Sequence, residues 1–296
     1  MSFRYQEAGL KISSEIELPE ARSFSFDGDP DLIIRRGPVP ELDQPYLQGG
    51  VFQAARGLLR LELDGVARYL VEPGQILVEQ AEQAEDADMR VFLLGSCLGA
   101  ALYLAGRLVL HASAVRHRGR AHLFVGRSSV GKSALALGLK THGLEPLTDE
   151  LAVLRIIDGH PHLEPTFGHL KVWHDVLVRE NYQPDQLQRV RSGVLHRYKV
   201  PFEPADEALP VGAIHQLGWW NQAHFDYQEI APLERFNRLL RNTYRGVYAE
   251  GLGPSRPYFE TLKRVAEVIT VTSLIRPDAG IDRLRDFPDF VVEKVL

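Results

Sequence analysis

The chain has 296 residues, of which 45% are hydrophobic and 25% charged, proportions typical of a folded protein of one large or two ordinary domains. Its formal net charge of -5 argues against a general attraction to nucleic acids or to anionic membranes. The single cysteine, Cys97, excludes an internal disulfide and is typical of a reducing cytoplasm.

The N-terminal residues are too polar for a signal peptide. The apolar run at 91–105 is shorter than the roughly 20 residues that span a membrane. We therefore expect a buried helix there, and a cytoplasmic protein without membrane or nucleic-acid partners.

Residues 1–88 are rich in short segments with strand-like alternation. Strands are predicted at 10–16, 32–34, 59–63, 67–71 and 75–78, separated by glycine and proline turns. No catalytic pattern occurs in this part. The sequence predicts a β-rich N-terminal module, which either packs on the rest of the chain or recognises a partner.

Residues 89–296 combine strands and helices and are predicted to form an α/β catalytic domain. Strands are predicted at 108–115, 121–125, 151–157, 213–220 and 270–275. Helices are predicted at 89–106, after residue 133, from Val172 to Arg179, at 233–247 and at 259–269, with a helical or mixed piece at 282–295.

The segment from Gly126 to Ser133 fits the phosphate-loop pattern G-x-x-x-x-G-K-[ST] in full. The glycines let backbone N–H groups point at phosphates, Lys132 supplies a positive charge, and the Ser133 hydroxyl can bind Mg²⁺. The strand before the loop and the helix after it are the required context. The predicted nucleotide-binding residues are Gly126, Arg127, Ser128, Ser129, Val130, Gly131, Lys132, Ser133 and Ala134.

The acidic pair Asp149-Glu150 follows the loop at the edge of a predicted strand. Phosphoryl transfer needs an acidic metal ligand, and a kinase benefits from a carboxylate that accepts the hydroxyl proton. Adjacent residues on a strand point to opposite sides, so only one carboxylate faces the phosphates unless the backbone bends. We expect Asp149 to be the base or the metal-side carboxylate, with Glu150 secondary; a solvated acidic turn is the alternative.

Several phosphate-loop classes lack their motifs here. The chain has no Asn-Lys-x-Asp of GTPases, no Leu-Ser-Gly-Gly-Gln of ABC-type ATPases, and no protein-kinase motif set. What remains resembles the C-terminal catalytic domain of HPr kinase/phosphorylase. The segments that carry the resemblance are Leu110-His111-Ala112-Ser113-Ala114-Val115, the loop itself, and Leu147-Thr148-Asp149-Glu150.

This resemblance implies a P-loop kinase core of the HPr kinase/PEP carboxykinase type that uses ATP and Mg²⁺. It implies that Asp149 acts on the substrate hydroxyl, that Lys132 holds the phosphates and that His111 lies beside them. The bifunctional enzymes have two aspartates at the acidic pair and a Glu-x-Arg-Gly signature after it. Here that signature is missing, and Glu164 lies near the place where it would stand. We therefore expect Glu164 to be a metal ligand, together with Ser133 of the loop and Glu150 of the acidic pair.

A subgroup is more similar: the stand-alone kinases that modify lasso peptides, which phosphorylate a C-terminal serine of a precursor peptide. The similar segments are Leu170-Lys171-Val172-Trp173 and Leu239-Leu240-Arg241-Asn242-Thr243-Tyr244. The basic cluster at 189–199 would then meet a peptide carboxylate or phosphate, or else it is a solvated charged loop.

The sequence thus predicts an ATP-dependent serine kinase that acts on a peptide or protein. Two alternatives remain open: a catalytically silent ATP-binding regulatory protein, and a kinase for small-molecule hydroxyls. The oligomeric state is open as well, with a homo-oligomer as one possibility.

Overall fold

A computed structural model describes residues 2–191, 196–221, 224–278 and 286–296. Its N-terminal part is one eight-stranded sheet with the strand order β1-β2-β3-β8-β7-β6-β5-β4. The pairs β2–β3 and β3–β8 are parallel and the others antiparallel. The strands are β1 (Phe3–Glu7), β2 (Leu10–Ser14), β3 (Leu32–Arg36), β4 (Leu47–Gly49), β5 (Phe52–Ala55), β6 (Leu58–Leu63), β7 (Ala67–Glu72) and β8 (Gln75–Gln80).

A long apolar helix follows and lies in the centre of the protein. It consists of α1 (Asp86–Phe92), a π-helical segment (Leu93–Cys97) and α2 (Leu98–Leu104). By length and composition alone the 19 residues from Asp86 to Leu104 could cross a membrane, but 72% of the apolar 18-residue stretch within them is buried inside the protein. The helix is a core element, as predicted.

The remaining elements form a second sheet with helices around it. They are β9 (Leu108–His117), β10 (Arg120–Val125), α3 (Lys132–Thr141), β11 (Glu145–Ile157), β12 (His160–Leu163), β13 (His169–Trp173), α4 (His174–Arg179), β14 (Arg197–Pro201), β15 (Leu209–Trp220), β16 (Asp226–Glu229), α5 (Pro232–Leu240), α6 (Gly246–Leu252), α7 (Arg256–Val268), β17 (Thr270–Pro277) and α8 (Asp286–Lys294). The predicted α/β class is confirmed.

The second sheet has the order β10-β9-β11-β12-β15-β17-β16, and β10 also pairs with β15. That extra pairing is parallel and joins residues about 90 positions apart, from Ala121↔Val211 to Val125↔Gln216. The strands β9, β11, β12, β15 and β10 therefore form a closed ring. The separate hairpin of β13 and β14 packs on α3.

Two predicted helices are wrong in part. Val172 and Trp173 belong to β13, where alternate residues Leu170 and Val172 are buried, and the helix begins only at His174. The helix predicted at 233–247 is broken between Leu240 and Gly246.

The break at 241–245 has a physical cause. In that segment the Asn242 carbonyl accepts a hydrogen bond from the His111 N–H, and the Tyr244 N–H donates to Val109, so the chain pairs with β9 instead of continuing the helix. The C-terminal helix α8 lies within the predicted piece, whose residues 282–285 are outside the described ranges.

One continuous hydrophobic core joins the two sheets. It includes Tyr69 of the first sheet, Met89 of the central helix, Leu110 of β9 and Leu262 of α7. A second core packs α3 and α8 against the outer side of the second sheet. The expected boundary at residue 88 falls inside α1, and the division into 1–88 and 89–296 stays a prediction.

Candidate active site

The phosphate-loop segment joins the end of β10 to the start of α3, as predicted. Its backbone has positive φ at Gly126 (148°), Ser129 (63°) and Gly131 (107°). A Cβ atom on Gly126 would lie 2.9 Å from the Leu217 carbonyl oxygen of β15, so only glycine fits there. The other predicted loop residues are the exposed Arg127 and Ser128, the buried Val130, and the half-buried Ala134 in the first turn of α3.

Lys132 is buried at the start of α3 with its ammonium folded onto the loop. Its Nζ donates hydrogen bonds to the carbonyl oxygens of Gly126 at 2.9 Å and Arg127 at 3.1 Å. Burial lowers the pKa of Lys132 to about 8, although the nearby carboxylates of Asp149 and Glu150 raise that pKa. A cation held beside a helix N-terminus is suited to binding phosphate.

Asp149 connects the loop to the sheet. Its Oδ1 accepts hydrogen bonds from the Ser113 hydroxyl at 2.6 Å and the Ser133 hydroxyl at 2.9 Å. Its Oδ2 accepts one from the Lys171 backbone N–H at 2.8 Å. Burial, and then the neighbouring Glu150, raise the pKa of Asp149, although these three hydrogen bonds lower it. The structure thus brings together Ser133 and Asp149, two predicted site residues.

Glu150 has a left-handed backbone with φ of 73°, which is rare for a residue other than glycine. Its carboxylate pairs with Lys171 Nζ at 2.6 Å and with Arg197 Nη2 at 3.4 Å. Despite burial, these two cations hold the pKa of Glu150 at about 2. Asp149 contacts the backbone N–H of Lys171 and Glu150 contacts its ammonium, and both acidic residues line one small pocket.

His111 lies on β9 opposite Leu151 of β11. Its ring meets Tyr244 edge-on with 5.8 Å between the ring centroids. Burial and the nearby charge of Lys132 lower the pKa of His111 to about 4, so the imidazole is neutral at pH 7. The role beside the phosphates that the resemblance implies for His111 stays a prediction.

The structure does not bring Glu164 to the loop. The N–H of Glu164 donates to the Val153 carbonyl, four residues along β11 from Asp149, or about 13 Å at the rise of a strand. Its carboxylate forms an ion pair with Arg155 and lies against Gly9 of the first sheet. This placement argues against the metal role expected for Glu164. The metal role of Glu150, which is paired with two cations, stays a prediction.

Three residues of the cluster, Ser113, Lys171 and Arg197, are not predicted from the sequence to contact the acidic pair. The sequence could have indicated Ser113 as a site residue, because it lies two positions after His111 on the same strand and so on the same face. Lys171 and Arg197 come from β13 and β14, and only tertiary packing brings them to Glu150. The basic cluster that contains Arg197 includes residues 192–195, which are outside the described ranges.

The donor set fits a magnesium nucleotide better than a resident metal. Within the described ranges, no three His, Cys, Asp or Glu side chains are grouped to hold an ion. Mg²⁺ in phosphotransferases is commonly held by one or two protein oxygens together with substrate phosphates and water. Ser133 would supply such an oxygen, and Lys132 with the loop N–H groups would hold the phosphates.

No known family model matches the chain, and no curated protein sequence matches it. Among solved structures, the chain is similar to the Hpr(Ser) kinase/phosphatase from Coxiella burnetii. The match has 15% identity and a TM-score of 0.31, and it covers 62% of this chain and 93% of that chain. A likeness at this level carries no conclusion about activity.

Proposed function

We propose that the protein is an ATP- and Mg²⁺-dependent kinase that transfers the γ-phosphoryl group to a serine hydroxyl of a peptide or protein. The observation that carries the proposal is the 2.9 Å hydrogen bond between Ser133 and Asp149. It sets a carboxylate against the residue that, in phosphate loops, binds the nucleotide's Mg²⁺. A loop that only bound phosphate would not require this partner.

We propose the following roles. Lys132 and the loop N–H groups hold the phosphates, and Ser133 ligates Mg²⁺, which neutralises phosphate charge when bound. The serine oxygen forms a bond to the γ-phosphorus as the bond to the bridging oxygen of ADP breaks. The hydroxyl proton passes to Asp149, whose raised pKa favours accepting it. The neutral His111 would donate a hydrogen bond to a phosphate oxygen.

The acceptor we propose is the C-terminal serine of a ribosomally made peptide of the lasso type. The feature that supports it is the sequence resemblance of residues 170–173 and 239–244 to such kinases; Lys171 and Arg197 lie beside the acidic pair but already form ion pairs with Glu150. Arg197 also lies over the Trp173 ring, 5.5 Å from its centroid, which fixes the guanidinium at the edge of the site.

Transfer of labelled phosphate from γ-labelled ATP to serine-terminated peptides tests this function. We expect Lys132→Ala and Asp149→Asn each to lower the transfer rate by about a hundredfold or more. The control is Lys263→Ala, which removes an exposed lysine of α7 and should leave transfer unchanged. Undiminished transfer in Asp149→Asn would contradict the assignment.

The same assay separates the two alternatives. ATP binding without transfer to any peptide, protein or small-molecule hydroxyl would identify a silent regulatory protein. Transfer to sugars or amino acids but not to peptides would identify a small-molecule kinase.

A further inference from the structure

A cavity of about 1220 Å³ lies between the first sheet and the second half of the chain. Its walls come from the β1–β2 turn, residues 19–24, residues 164–169, and the segment that joins β14 to β15. Pockets for small molecules typically measure about 300–1,000 Å³. The volume is therefore better suited to a stretch of polypeptide than to a metabolite.

The cations in the cavity wall already have acidic partners. Arg90 and Lys199 both pair with Glu20, at 3.0 and 3.1 Å. Arg22 pairs with Asp206, and Arg155 pairs with Glu164. These pairs leave no wall cation in excess to attract an acidic ligand.

Glu7 differs from the other acidic residues of the wall because it is buried and forms no ion pair with the described residues, whereas the unpaired Glu203 and Glu207 are exposed. It is only 5% exposed, and the contact that the described residues make to its carboxylate is a long 3.4 Å hydrogen bond from the Arg22 backbone N–H. The Arg22 guanidinium is turned to Asp206 instead. Burial raises the pKa of Glu7 to about 8. A desolvated carboxylate without a cation in contact is unfavourable, so Glu7 keeps its proton at neutral pH in the free protein, and a cationic ligand group would let it ionise.

The cavity adjoins the candidate active site. A second, small pocket of about 20 Å³ is lined by Asp149, Glu150 and Lys171. Five residues line both the cavity and this small pocket: Glu20, Arg90, Phe167, His169 and Lys199. One layer of side chains, with the ion pairs of Glu20 in it, thus separates the cavity from the acidic pair.

We propose that this cavity binds the acceptor polypeptide and that Glu7 pairs with a lysine or arginine of that polypeptide. The acceptor role rests on the proposed kinase function. The binding site itself stands on the cavity and on the unpaired carboxylate. Such a contact would select acceptors that carry a positive charge at a fixed distance from the serine.

Peptide binding to the full chain without ATP is the test. The probes are two fluorescent nonapeptide libraries with a C-terminal serine, which differ only in carrying arginine or citrulline at one varied position. Citrulline keeps the shape of arginine and removes its charge. We expect the arginine library to bind at least about tenfold more tightly, because a buried charge pair is lost with citrulline.

Glu7→Gln should abolish that preference, since glutamine keeps the size and the acceptor for Arg22 but has no charge. The matched control is Glu17→Gln, which changes an exposed residue outside the cavity wall and should keep the preference. Thermal unfolding of both variants checks that the fold is intact.

Three results would overturn the proposal: equal binding of the two libraries, no binding of either, or a preference that survives in Glu7→Gln. Agmatine that competes as well as the arginine peptides would assign the cavity to a small amine instead. An arginine preference without phosphate transfer would support the binding site and contradict the kinase function. Failure of the binding proposal can therefore be told apart from failure of the proposed function.

Discussion

At the scale of single residues, the left-handed conformation of Glu150 organises the acidic pair. A non-glycine residue in this region costs about 1–3 kcal/mol and persists only where its surroundings hold it. Here Lys171 and Arg197 hold it through two ion pairs. The sequence predicts the two carboxylates and the condition for their convergence, a backbone bend. It does not predict the bend itself, because both cations come from a hairpin more than 20 residues away.

Lys132 gives a prediction of its own. With a pKa of about 8 in the free protein, its ammonium loses its proton as pH rises above that value, while bound phosphates favour the protonated form. We therefore expect ATP affinity to be constant below pH 8 and to fall above it by up to tenfold per pH unit. Isothermal titration calorimetry with MgATP between pH 6.5 and 9.5 measures this profile.

The matched variant is Lys132→Arg, because a guanidinium stays charged throughout this range. Its ATP affinity is expected to be lower overall but not to decline above pH 8. A decline of equal steepness in the variant would show that another group causes it.

At the scale of elements, the junction between β10 and α3 depends on Gly126. In Gly126→Ala the new Cβ would meet the Leu217 carbonyl at 2.9 Å and sit at a φ that alanine avoids. We expect the free energy of unfolding to fall by about 2–3 kcal/mol and ATP binding to be lost. Urea denaturation and calorimetry measure the two effects.

Gly119→Ala is the comparison for that variant. Gly119 also has positive φ, in the turn between β9 and β10, but a Cβ there meets nothing within 4 Å. It should lose only about 1 kcal/mol, the cost of the conformation, and keep ATP binding. Equal losses in the two glycine variants would show that contact with Leu217 is unimportant.

Elements set by local patterns are the ones that the sequence predicts well. The strand, loop and helix around Gly126 follow from a short motif and its apolar flanks, and α7 follows from its spacing of apolar residues. Local patterns do not predict the break in the helix after Leu240. It depends on backbone hydrogen bonds from residues 242 and 244 to β9, more than 130 positions earlier in the chain.

At the scale of the whole molecule, buried histidines link stability to pH. His215 is 1% exposed, and its ring bonds Thr272 at 2.8 Å and His122 at 3.2 Å. Burial lowers the pKa of His215 to about 3 and that of His122 to about 4. Between pH 6.5 and 4 the unfolded chain therefore binds more protons than the folded one, so stability falls as pH falls.

We expect the free energy of unfolding to decrease on acidification in this window, by about 1.4 kcal/mol per pH unit for each such histidine. Glu7 makes the free energy of unfolding rise on acidification, because its raised pKa adds a proton to the folded state. Urea denaturation at several pH values should show a shallower slope for His215→Asn than for the natural chain.

The cavity beside Glu7 lies beyond what the sequence predicts. Residues 1–88 contain no catalytic pattern, and the choice between a packing and a recognition role stays open at that level. The cavity arises because the first sheet shares a continuous core with the second sheet, which places the β1–β2 turn against Glu164. Its walls join residues 6–24 to residues 155–208, at least 131 positions later, and local patterns carry no information on such pairings.

The parallel pairing of β10 with β15 has a consequence for biosynthesis. As the ribosome extends the chain, the loop from Gly126 to Ser133 emerges about 90 residues before Leu217, the residue whose carbonyl packs against it. Until β15 arrives, β10 has an open edge and the loop lacks that wall. Pairings so distant in sequence close late in folding. ATP would therefore be captured by the finished ring and not by the nascent chain, and would favour the completed fold over its precursors.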